Sequence, residues 1–171
     1  MVTAVARALR TYPVLNATLD LDAETIDVHN DINIGIAVAS ARGLMVPIIR
    51  NADALSIVGV AAEIARLSAS ARDGSIGAQD LAGGTCTVTN YGSNGGYFAA
   101  PIIRPGESAI VGFGAIAERP IVVDGEVVAR PVLPVVVSAD HRLIDGDVLS
   151  AFQANLSASL TNAVSLLVTN N

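Results

Sequence analysis

The segment PVLPVVVSADHRLIDGDVLSAF, residues 131–152, constrains the fold more than any other part of the chain. Its valine run is too short for a buried helix and rich in β-branched residues, which makes it a strand. Asp145-Gly146 then marks a corner, and Val148, Leu149, Phe152, Leu156 and Leu160 recur at helical spacing beyond it. A buried strand that passes straight into an amphipathic helix needs a sheet on one side and other helices beside it, so the chain is α/β. One of only two histidines, His141, stands at that junction.

The remaining elements agree. Residues 2–11 place Val5, Ala8 and Leu9 on one helical face, closed by Pro13 and Asn16. ETIDVHN suggests a short strand. INIGIAVA and LMVPIIR are β-rich runs joined by SARG, the pattern of a hairpin. A second helix runs from an N-cap at Ser56 to about Arg72, with Ile57, Val60, Ala61, Ile64 and Leu67 as its apolar stripe and Gly74 closing it. IGAQDLAGG reads as one helical turn. TCTVTN alternates, with Thr85, Thr87 and Thr89 on one face and Cys86 and Val88 on the other. YGSNGG is a glycine loop. SAIVGFGAI and RPIVV are strands, VDGE is a hairpin turn, and VVARPVLPVVVSAD reads as one long strand before the helix at 147–160. No repeat or linker divides the 171 residues, so one domain, or a large part of one, is expected.

The chain is 51% hydrophobic and 15% charged, with a mean hydropathy of +0.53, which implies surface buried against other subunits. No apolar run could cross a bilayer as a helix, and no basic run offers itself to nucleic acid or an anionic membrane in a chain of net charge −6. Every one of the ten basic residues is arginine, a bias that suggests a GC-rich bacterial genome. The single cysteine, Cys86, cannot close an internal disulfide, in keeping with a reducing, cytoplasmic setting.

A lone histidine at a strand end is ordinarily a structural residue, and Arg142 and Asp145 could be an ordinary ion pair. Three features argue for more. The apolar run before His141 can exclude water and favour a neutral imidazole, which is a general base. Asp140, Arg142, Asp145 and Asp147 surround it with charge. Gly146 would let the backbone turn sharply into the helix.

His141-Arg142-Leu143-Ile144-Asp145-Gly146 resembles the HRxxDG signature of the acyltransferase (E2) components of 2-oxoacid dehydrogenase complexes. NIGIAVASARGLMVPIIRNAD resembles that family's core hairpin, and DLAGGTCTVTNYGSNGGYFAAPIIRPGESAIVGFGAI its second block. The likeness runs from residue 1 to about 168. It implies a two-layer, chloramphenicol-acetyltransferase-like α/β fold, a mixed sheet with helices, in a trimer. It further implies that residues 1–171 are the catalytic domain without its first segment, and without lipoyl and subunit-binding domains.

The resemblance implies transfer of an acyl group, branched-chain or acetyl, from a dihydrolipoyl arm to coenzyme A, with no metal. His141 would be the base for the coenzyme A thiol. Thr89, an ordinary strand threonine on residue grounds alone, would be the hydroxyl that stabilises the oxyanion. Asp145 would orient the site. Coenzyme A would meet Thr89, Asn90, Gly114 and Ile116. On residue grounds Gly114 is equally a strand glycine at a bulge. His29 reads as a surface or subunit-contact residue. The implied partners are two further copies of the chain, a lipoyl domain arriving from elsewhere, and E1 and E3 components reached through other domains. TNAVSLLVTNN resembles the segment that joins trimers into cubes or dodecahedra, with Leu166 and Leu167 as knobs. Two other functions stay open: a non-catalytic core scaffold, which in related proteins lacks the motif's histidine, and a stand-alone acetyltransferase of the chloramphenicol type.

Overall fold

The computed structural model describes residues 1–167. Helix α1 spans Val2–Thr11, and one 3-10 turn, Pro13–Asn16, follows it. Strands β1 (Ala17–Asp20) and β2 (Thr25–Val28) pair as a hairpin, β2 exposed throughout and β1 starting at the buried Ala17. The run 34–49 contains β3 (Ile34–Ile36), β4 (Val38–Ser40), β5 (Gly43–Met45) and β6 (Ile48–Ile49). Then come α2 (Ile57–Asp73), β7 (Cys86–Asn90), β8 (Ala109–Phe113), β9 (Ala117–Val123), β10 (Glu126–Val132), β11 (Val135–Ala139) and α3 (Gly146–Thr161).

The central sheet has the order β11-β8-β7-β3-β6. Its middle pairs, β3 with β7 and β7 with β8, are parallel, and its outer pairs are antiparallel. This is a mixed sheet. One face carries Ile34, Cys86, Val88, Ala109, Val111 and Phe113, and these join Val5, Leu9, Phe152 and Leu156 of α1 and α3 in one core. Phe152 is fully buried and meets Tyr12 edge to face, with centroids 5.9 Å apart.

Ser56 caps α2 as expected, accepting from the Gly59 amide at 3.1 Å, and Gly74 closes it at φ 80°. Asp124 and Gly125, at φ 52° and 84°, form the hairpin turn of β9 and β10. Two expectations need correction. The long strand expected over 127–140 is two strands, because Pro134 lacks an N–H and its carbonyl instead accepts from the Gly114 amide. The hairpin of residues 32–50 is likewise cut at Ala37, whose amide turns away to the Val88 carbonyl, so that β3–β6 belongs to the main sheet and β4–β5 stands apart. β1 adds a strand to the elements expected from the sequence.

Of the C-terminal segment, residues 168–171 lie outside the described residues. Leu166 is no knob. It packs into its own core, 7% exposed, and its carbonyl accepts from Arg7, while Leu167 is 69% exposed.

Candidate active site

The corner at His141 is built by its neighbours. The Asp140 amide donates to the Ser108 carbonyl, continuing the β11–β8 ladder by one residue. The Leu143 and Ile144 amides then return to the Asp140 carbonyl, and the Ile144 side chain drops into the core. Anchoring Ile144 inward turns the His141 ring outward. His141 is exposed and makes no hydrogen bond among the described residues. The wall expected from the valine run is therefore absent within the chain: the run stays in β11 while the turn carries the ring away from it.

Arg142 selects Asp140, not Asp145. Its Nε donates to Asp140 Oδ1 at 2.9 Å and its Nη2 to Oδ2 at 2.6 Å, and its amide also donates to Oδ1. The Arg142 hydrogen bonds hold the Asp140 carboxyl below the usual carboxylate range. Asp145 occupies the N-cap position of α3 without a capping hydrogen bond, and its carboxylate is exposed. Gly146 is already the first helical residue, and a side chain there would meet open space. The sharp turn does not depend on it.

Thr89 lies on the opposite face of the sheet from the helices. Thr85, Thr87 and Thr89 share that face, the first two buried and Thr89 half-buried at the strand end. Beside it, the Asn90 Oδ1 accepts from the Gly92 amide at 3.0 Å and starts the glycine loop. That loop folds back on β8. The Tyr91 amide donates to the Phe113 carbonyl and the Ala115 amide to the Gly96 carbonyl. A side chain at Gly92 would collide with the Gly114 backbone, and one at Gly112 would come 2.9 Å from the Tyr91 ring. Gly114 is buried, and a Cβ there would lie 2.8 Å from the Tyr97 carbonyl oxygen. The chain's own loop accounts for this glycine without a ligand. Ile116 is exposed.

The register fixes where the two central residues stand. Thr89 lies opposite Gly112, and Gly112 lies opposite Val136, near the start of β11. His141 lies two residues beyond the strand's other end, Ala139, which is level with Ala109. One chain thus places Thr89 and His141 at opposite ends of its sheet, on the order of 15 Å apart along the strands. They cannot share a substrate atom within one chain.

Two features escaped the sequence reading. A groove of about 320 Å³ runs beside Asn90, lined by Ile36, Ile57, Ile64, Val88 and Phe113 among others. Its signal was the width of the α2 stripe, of which Ile57 and Ala61 stay exposed. Glu107, just before β8, is buried beneath Thr87. His29 is half-buried, with Nε2 2.8 Å from the Thr18 hydroxyl; that hydroxyl donates to the Gly106 carbonyl, so the His29 ring is the donor. Cys86 is buried, and desolvation pushes its thiol up, which removes it as a nucleophile.

Residues 1–168 match the family model described as 2-oxoacid dehydrogenases acyltransferase (catalytic domain). The dihydrolipoyllysine-residue acetyltransferase component of the pyruvate dehydrogenase complex of Staphylococcus aureus is 47% identical over 146 residues, 85% of this chain and 34% of that protein. The chain therefore spans about a third of the length of the curated relatives it matches. Among solved structures, Azotobacter vinelandii dihydrolipoamide acetyltransferase superposes with TM-score 0.92 and 33% identity, over 98% of this chain and 69% of that one. It was studied for the role of a serine, a histidine and an asparagine in its catalytic mechanism. The cubic core of a pyruvate dehydrogenase multienzyme complex matches equally well, at TM-score 0.92 and 33% identity. Chloramphenicol acetyltransferase, at 18% identity and TM-score 0.56, shares the fold.

Proposed function

Because the chain belongs to the family of 2-oxoacid dehydrogenase acyltransferase catalytic domains, we propose that it transfers an acyl group between dihydrolipoamide and coenzyme A. The observation that carries the reading is the register: Thr89 and His141, both chemically suited to acyl transfer, stand at opposite ends of one sheet. An active site that needs both must be assembled from two chains. We therefore place each site at a subunit boundary of a trimer, with His141 from one copy and Thr89 from the next. The exposure of His141 supports this, since the cover its ring lacks would come from the neighbour.

In that site the His141 imidazole takes the proton of the coenzyme A thiol, which is mostly protonated near neutral pH. The thiolate attacks the acyl-dihydrolipoyl carbonyl carbon. The Thr89 hydroxyl donates to the oxygen that becomes negative. Collapse breaks the carbon–sulfur bond to the dihydrolipoyl group, whose sulfur recovers the proton from the imidazolium. To Asp145, whose side chain has no hydrogen-bond partner among the described residues, we assign the orienting role across the boundary. The serine, histidine and asparagine of the Azotobacter enzyme support these three roles, with threonine and aspartate here in place of serine and asparagine. Asn90, next to Thr89 at the strand end, and the exposed Ile116 are the surfaces we assign to coenzyme A; Gly114 contributes by seating the loop.

The acyl group we favour is acetyl ahead of a branched-chain acyl group, because the similar curated proteins are pyruvate dehydrogenase components. A lipoyl domain, E1 and E3 components, and a cubic assembly of trimers complete the proposal, the last supported by the cubic core. No helix among the described residues is long and apolar enough to cross a membrane. The setting we propose is a bacterial cytoplasm.

The test is thiol-ester formation between dihydrolipoamide and acetyl-CoA, followed in the reverse direction with wild type and Thr89→Ala. Removal of one oxyanion donor is expected to lower kcat by about 10²–10³-fold with trimers intact. A Thr89→Ala variant as active as wild type would remove Thr89 from the mechanism, and an inactive wild type would overturn the function.

A further inference from the structure

Among the described residues, Glu107 is the one charged side chain buried in the interior, 2% exposed. Its Oε2 accepts from the Thr87 hydroxyl at 2.6 Å. Its Oε1 accepts no hydrogen bond and has the Arg104 guanidinium at 3.7 Å. Arg104 in turn donates to the Leu81 carbonyl. Burying a carboxyl against so little compensation is costly for folding alone, and burial pushes its pKa up.

Its location suggests what the cost serves. Thr87 lies two residues before Thr89 on the same face of β7. Between Thr89 and Glu107 the chain makes the whole excursion that packs beside Thr89: the Tyr91 ring over Gly112, the glycine loop against Ala115, and then Phe98 and Ile102 facing outward. The Glu107–Thr87 hydrogen bond closes the base of this excursion onto the strand from which it starts. Gly35 leaves just enough room: a Cβ there would come 3.0 Å from the Thr87 hydroxyl and 2.7 Å from Val46.

We propose that Glu107 is a positioning residue for the reaction proposed above. Through Thr87 it holds the strand end that presents the Thr89 hydroxyl, and it fastens the 91–106 excursion beside that hydroxyl. This rests on the reading of Thr89 as oxyanion donor.

The test compares Glu107→Ala, Glu107→Gln and Thr87→Val. Glutamine keeps an acceptor for Thr87, so it should restore most of what alanine loses. Since a misplacement of about 1 Å costs up to about 10²-fold, Glu107→Ala should lower kcat by about 10- to 100-fold, with KM for coenzyme A within about threefold and sedimentation unchanged. Thr87→Val should follow alanine, and the double variant should be no worse than either single one. Independently of activity, amide hydrogen exchange at residues 90–97 should quicken by about tenfold in Glu107→Ala. An active wild type with Glu107→Ala within about twofold of it would overturn the positioning role alone, as would unchanged exchange at 90–97. An inactive wild type would overturn the function, and exchange would still decide whether Glu107 holds the strand end.

Discussion

Replacing His141 by alanine is expected to lower kcat for acyl transfer by about 10²–10⁴-fold, the usual contribution of a positioned general base. The same change should leave folding nearly untouched. Within its own chain His141 is exposed and makes no hydrogen bond among the described residues, and a substitution of that kind usually shifts the stability of the folded chain by no more than about 0.5 kcal/mol. What holds the corner is Ile144 and the Asp140 carbonyl, which the substitution does not disturb. Steady-state kinetics beside urea unfolding separates the two effects. A variant that loses activity only because it unfolds earlier would contradict the role of the imidazole, and so would one that keeps the wild-type rate.

Phe152→Ala is expected to do the reverse. Phe152 is fully buried between α3, Tyr12 and the helix-side face of the sheet. Its loss should cost about 3–5 kcal/mol, the sum of lost transfer free energy and the cavity left behind. A further part of the edge-to-face contact with Tyr12 goes with it. The urea midpoint should fall while the denaturant slope stays constant. Any surviving trimers should still turn over near the wild-type rate, because α3 begins at the corner but Phe152 touches no group assigned to the chemistry. A shift below about 1 kcal/mol would mean that the core tolerates a void there, contrary to its close packing.

The contrast between these two residues also explains what was legible in the sequence. Local chemistry carried the elements: the Ser56 cap, the Asp124-Gly125 turn, the alternation of Thr85, Thr87 and Thr89, and the stripe that buries Phe152 all follow from residues a few positions apart. The interruptions were not local. The break at Pro134 follows from a carbonyl claimed by Gly114, twenty positions away in sequence, and the cut at Ala37 from Val88. His141 could be found by its motif, yet its exposure depends on Ile144 being drawn inward. Arg142 had two acids within three residues, and only the turn geometry decides for Asp140. Glu107 was hidden for the same reason, since nothing in RPGES says that the carboxyl folds beneath Thr87. The separation of Thr89 from His141 is a matter of register, which no single segment records.

That separation can be tested by mixing. His141→Ala and Thr89→Ala chains, each inactive alone, are unfolded together at equal amounts, refolded and assayed. In a cyclic trimer with each site shared by neighbours, every mixed trimer regains one site with both residues intact, so about a quarter of the wild-type rate should return. If each site belonged to a single chain, no mixed trimer would hold an intact site. Activity that stays at the level of the two separate variants, while sedimentation shows mixed trimers present, would contradict the shared site.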